Sequence, residues 1–139
     1  MKPYEIIEHT AEIGIKGYGR TQEELFANMA AGMFGLIVPP EEVREVSPVT
    51  VTAQAEGPEE LLVAWLRELI VLFDTRHFLG KRFQIQAFER GRVSATVIGE
   101  TLDLTRHSVD KEVKAATYCD LSIERRSDGV WTAQVIFDI

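Results

Sequence analysis

Asp128-Gly129, set between two runs in which apolar and polar residues alternate, is the feature that most restricts the fold. Residues 121–126 and 130–137 both carry the two-residue period of a strand that buries one face. An Asp-Gly pair readily adopts the backbone angles of a tight two-residue turn, so the runs close into an antiparallel hairpin. With those two residues as the whole loop, Asp138 stands opposite Cys119 and diagonal to Thr117. Residues 117–120 then form a wall beside the last acids of the chain.

The same alternation marks residues 3–8 and 13–18, joined by a turn over 9–12. Gly17 and Gly19, on either side of Tyr18, suggest a bulge or a tight exit from that second strand. Residues 46–55 alternate as a half-buried strand, and residues 83–87 and 93–97 form a hairpin turned at Arg90-Gly91. Two helices interrupt the strands. Thr21 caps the first, with Glu24 three residues on to complete a capping box, and Pro39-Pro40 stops its apolar face of Leu25, Phe26, Met29, Met33, Phe34 and Ile37. Pro58 opens the second, whose face of Leu61, Leu62, Trp65, Leu66, Leu69, Ile70 and Phe73 is broad enough to predict the deeper burial. Arg67, with Glu60 and Glu68, reads as solvated surface; residues 100–110 read as irregular, with His107 a surface or capping residue. The sum is a single α+β domain over residues 1–139: antiparallel strands, in two sheets or one strongly bent sheet, with two packed helices.

Charge excludes some functions. With 22 acids against 15 Lys and Arg, a net charge of -7 repels phosphates, so direct nucleic acid binding is not expected. Lys81-Arg82 and Arg125-Arg126 are too short to make a basic stripe and read as solvated strand ends. No apolar run is long enough to cross a bilayer and the N-terminus lacks the apolar core of a signal, which points to a cytoplasmic protein. Cys119, the single cysteine, has no disulfide partner, and as a nucleophile it would sit among carboxylates that disfavour its thiolate. Gly-x-Ser-x-Gly, His-Glu-x-x-His and phosphate-loop signatures are absent, and no catalytic residue is assigned.

The chemistry lies near the two ends of the sequence. Glu12 ends the run Glu8-His9-Thr10-Ala11-Glu12, and Asp138 precedes Ile139 with its terminal carboxylate. If the fold joins these groups, three anionic sites converge and must take up protons or a cation. Such oxygens suit Ca²⁺ or Mg²⁺ and include no soft donor that would select zinc. The residue types alone are accounted for as readily by separate solvated carboxylates.

Taken together, His9-Thr10-Ala11-Glu12, the run Lys111-Glu112-Val113-Lys114-Ala115-Ala116-Thr117-Tyr118 and the closing Asp138-Ile139 resemble the archease family over essentially the full length. The resemblance implies a small acidic accessory protein of α+β fold. It would assist an RtcB-class tRNA-splicing RNA ligase by promoting its guanylylation and repeated turnover. It also implies a bound divalent ion, usually calcium, held here by Glu12, Asp138 and the Ile139 carboxylate. Glu12 departs from the aspartate expected at that position, and Cys119 stands where archaeal relatives often have histidine. His9, Lys114 and Tyr118 are the residues expected to contact the ligase or its nucleotide. Two other readings stand beside this one: a metal-dependent hydrolase using the same carboxylates, and a chaperone-like binding module.

Overall fold

A computed structural model describes residues 1–8 and 11–139. Eight strands and two helices follow in the order β1 (Tyr4–Glu8), β2 (Glu12–Gly19), α1 (Gln22–Ile37), β3 (Ser47–Gln54), α2 (Pro58–Arg76), β4 (Phe78–Glu89), β5 (Arg92–Thr101), β6 (Ala115–Ala116), β7 (Ser122–Arg125) and β8 (Trp131–Asp138). The strands make two antiparallel sheets. One has the order β1-β2-β8-β6, with β7 also paired to β8; the other has the order β3-β5-β4. The α+β architecture is therefore the two-sheet form of the sequence expectation.

Both helices pack against both sheets, and that position explains their composition. Along α1, Leu25, Phe26, Met29, Ala30, Met33, Phe34, Leu36 and Ile37 are all buried and fill about half of the helix circumference. A helix that buries so wide an arc must be apolar across it. Nine residues of the 16 in α1 are buried against eight of the 19 in α2, so the first helix, not the second, is the deeper. The apolar face of α2, Leu61 to Leu72, spans a similar arc with fewer of its residues buried. Trp65 of α2 is fully buried and donates its indole N–H to the Phe26 carbonyl at 3.0 Å, satisfying its one polar atom while tying the helices together.

Local signals near α1 act largely as read. The Thr21 hydroxyl accepts the Glu24 N–H at 3.1 Å, while the Glu24 carboxylate reaches back to the Arg20 N–H. The glycines before it have another purpose than a bulge. The β2 pairing runs without interruption through Gly17 and Gly19. A Cβ on Gly17 would lie 2.4 Å from the Met29 sulfur, and one on Gly19 would lie 2.4 Å from the Leu25 backbone nitrogen. Their missing side chains let α1 lie directly on the strand. The irregular pairings fall instead in β4, between Gly80 and Arg82 and between Ile85 and Ala87.

The last hairpin departs from its expected register. Arg126 N–H bonds the Val130 carbonyl, leaving Ser127, Asp128 and Gly129 as a three-residue loop, with Gly129 at φ 87°. Arg125 is thus opposite Trp131. Continued unchanged, this pairing would set Cys119 opposite Phe137, but Ala116 is there and Ala115 faces Asp138. Between the two short strands the chain leaves the sheet: Leu121 N–H turns back to the Tyr118 carbonyl, and Asp120 takes a left-handed φ of 50°. Asp tolerates that conformation better than most residues. Cys119 is exposed on this excursion and does not face Asp138.

Candidate functional site

Pairing between β2 and β8 brings residues near the two ends of the sequence together. Glu12 is directly opposite Asp138, Ile13 opposite Phe137 and so on to Gly19 opposite Trp131. Ile13 and Phe137 are 1% and 0% exposed and face the core, so alternation puts Glu12 and Asp138 on the outer face. Ile139 N–H bonds the Ala11 carbonyl at 3.4 Å. That makes residues 11 and 139 a hydrogen-bonded pair, and makes Glu12 and Asp138 the following non-hydrogen-bonded pair, in which side chains approach most closely. Like charges so placed repel one another.

Two further features hold this corner. The Ile139 side chain packs against the core, and the Lys114 N–H bonds the Asp138 carbonyl at 2.8 Å. The backbone of Lys114 is therefore beside Asp138 while its side chain is in an exposed position. Neither the Glu12 nor the Asp138 carboxylate has an ion-pair partner among the described residues. Chemically they suit a hard divalent cation, but no group of three His, Cys, Asp or Glu side chains able to hold a metal occurs among the described residues. His9, expected beside the first ligand, lies outside the described residues.

Tyr118 is placed differently from Lys114. It leaves the sheet after β6, is 54% exposed, and lies under the guanidinium of Arg67 on α2, 4.8 Å from ring centroid to Cζ. Arg67 also donates Nε–H to the Ala116 carbonyl at 3.2 Å. Sequence patterning reads Arg67 as an idle surface charge, because its partners are 49 and 51 residues away and no local rule links them.

A second cluster was also hidden in the sequence. His107 is buried, not on the surface: its Nδ1 accepts the Asp103 N–H at 2.8 Å and its Nε2 contacts the Glu100 carboxylate at 3.0 Å. An Nδ1 that accepts carries no proton, so Nε2 holds the hydrogen and donates it to Glu100. Arg106 and the Arg44 N–H complete the shell of Glu100. Burial pushes the Glu100 carboxyl up, but the Arg44 amide, His107 and Arg106 outweigh it and hold the group below the ordinary carboxylate range. Capping describes part of what His107 does; its main consequence is to pin residues 100–107 into one packed turn.

Residues 4–139 match the model of the Archease protein family (MTH1598/TM1083). Protein archease of Thermococcus gammatolerans is 42% identical over 145 residues, and that of Pyrococcus abyssi is 40% identical over 142, each alignment covering 100% of both chains. The solution structure of Methanobacterium thermoautotrophicum protein 1598 superposes with a TM-score of 0.84 at 32% identity over the full length of both chains. An archease from Thermotoga maritima shares the fold, with a TM-score of 0.66 at 22% identity, covering 100% of this chain and 97% of that one. The chain belongs to the archease family. Among the described residues no helix is long and apolar enough to cross a membrane.

Proposed function

We propose that this protein is a non-enzymatic accessory factor of an RtcB-class tRNA-splicing RNA ligase, acting in the cytoplasm to promote ligase guanylylation and multiple turnover. The observation that carries the reading is the in-register pairing of Glu12 with Asp138, which presents two close carboxylates on an outer sheet face. Glu12, Asp138 and the terminal carboxylate of Ile139 would hold Ca²⁺, or Mg²⁺ where that ion prevails, with water filling the remaining positions. A bound ion supplies a positive centre able to meet a nucleotide phosphate. Family membership and the net charge of -7 support a partner surface of basic character rather than direct binding to RNA. Lys114, Tyr118 and His9 are the proposed contacts.

Ligase turnover tests the reading. With catalytic ligase, cleaved tRNA halves and GTP, added protein should raise the product formed per ligase to many turnovers, while the protein alone should process neither nucleotide nor phosphoester. Unchanged turnover would remove the accessory role, and phosphoester cleavage by the protein alone would favour the hydrolase. Calcium titration by calorimetry tests the ligand set. Glu12→Ala, Asp138→Asn and a residue appended after Ile139 should each weaken binding; wild-type affinity in all three would discard it.

A further inference from the structure

Strand β6 is weakly held by its own ladder, since only Ala115 and Ala116 pair with β8. Irregular chain precedes it and the excursion of residues 117–121 follows it. Its other backbone ties to β8 are Lys114 N–H to the Asp138 carbonyl at 2.8 Å and Thr117 N–H to the Ile136 carbonyl at 3.0 Å. Arg67 approaches from the opposite direction, out of α2. Its Nε–H reaches the Ala116 carbonyl at 3.2 Å, its Nη1 is 3.4 Å from the Tyr118 hydroxyl, and its Cζ lies over the Tyr118 ring, 4.8 Å from the centroid.

An exposed tyrosine on an irregular segment ordinarily samples several rotamers, and a partner that uses it must bear the cost of ordering it. A planar guanidinium can both donate a directed hydrogen bond and stack on an aromatic face, which an ammonium cannot do in the same way. Arg67 is itself exposed, so packing does not force it into this position. From these contacts we propose that Arg67 is a positioning residue for Tyr118, ordering the ring and the end of β6 before a protein partner arrives. This rests on the proposed role of Tyr118 as a partner contact. The chemistry of the pair fits such a role, because tyrosine and arginine supply many of the dominant contacts of protein interfaces when they are held in place.

Two measurements test it, one of which needs no partner. Amide hydrogen exchange of the intact protein should show Lys114 and Thr117 exchanging about tenfold faster in Arg67→Ala, equivalent to roughly 1.4 kcal/mol of local opening. Arg67→Lys should resemble Arg67→Ala, because it keeps the charge without the fork. Exchange at both amides within twofold of wild type in both variants would overturn the clamp, whatever the ligase assay shows. The second measurement is a double-mutant cycle on the protein concentration giving half-maximal ligase turnover. Arg67→Ala and Tyr118→Ala should each raise that concentration about tenfold, and the double variant should be no worse than Tyr118→Ala alone. Multiplying effects would show that Arg67 acts independently of Tyr118 and would reject the positioning role. Wild-type protein without effect on the ligase would instead remove the partner reading, leaving the exchange result to decide the clamp.

Discussion

Replacing Glu100 by alanine should be among the most damaging single changes in the molecule, although no sequence motif marks the residue. Glu100 is 6% exposed and receives hydrogen bonds from the Arg44 N–H at 2.7 Å and from His107 Nε2 at 3.0 Å, as well as the Arg106 ion pair. The His107 side chain is 0% exposed with Glu100 in place, so its Nε2–H depends on that carboxylate for an acceptor. A buried donor left unmatched costs about 1–3 kcal/mol. The Arg44 amide loses a charge-assisted acceptor but is nearer to solvent. Arg106 is 30% exposed and keeps Asp103, so its loss adds less than a buried ion would. Together these terms give about 3–5 kcal/mol, within the range seen when one partner of a buried charged network is removed. Against a total stability on the order of 5–15 kcal/mol, that is a large share, and it would lower the melting temperature by roughly 10–17 °C. Urea unfolding followed by circular dichroism measures it directly. Glu100→Gln, which keeps an acceptor oxygen, should fall between wild type and Glu100→Ala. A loss under about 1 kcal/mol for Glu100→Ala, with unchanged denaturant slope, would refute the account of this cluster.

Other predictions concern pH, close packing and the carboxylate pair. Because the folded Glu100 carboxyl is held below its ordinary value of 4.5, its stabilisation is present above that value and lost as pH falls through the lower folded one. Unfolding free energies measured between pH 3 and 6 should therefore drop more steeply below about pH 4.5 for wild type than for Glu100→Gln. Gly19→Ala should cost at least about 1–3 kcal/mol, and more than Gly17→Ala, since the new methyl at residue 19 meets helix backbone and at residue 17 only the end of a flexible methionine. Chemical denaturation of both variants checks the order. Asp138→Asn should stabilise the cation-free protein by about 0.2–1 kcal/mol through relief of the repulsion with Glu12, yet reduce any rise in melting temperature on adding calcium. Thermal melts with chelator and with excess calcium give both readings.

Elements set by local chemistry were legible in the sequence. Thr21 and Glu24 announce the start of α1, Pro58 starts α2, and alternation locates the central parts of β2, β3, β5 and β8. The meeting of Glu12 with Asp138 was also within reach, although the geometry came from β2 joining β8 and not from a wall of residues 117–120. That wall failed because one loop residue and one excursion from the sheet each shift a register, and neither leaves a periodic trace. The start of β4 was hidden as well: His77 takes a left-handed φ of 52°, letting Phe78 begin a strand at once after the helix. Features joined only by tertiary structure, the buried His107–Glu100 pair and the Arg67–Tyr118 contact, have no local signature. Burial of His107 depends on which residues fold over it, and a single histidine does not announce that.

The position of β2 between β1 and β8 has a consequence for biosynthesis. While the ribosome is still adding residues ahead of Trp131, β2 has its hairpin partner but its other edge is bare, and the face carrying Ile13 and Ile15 lacks the adjoining Val135 and Phe137. Until translation passes Asp138, the nascent protein carries an open strand edge flanked by two helices that are already apolar, the kind of surface on which neighbouring chains aggregate.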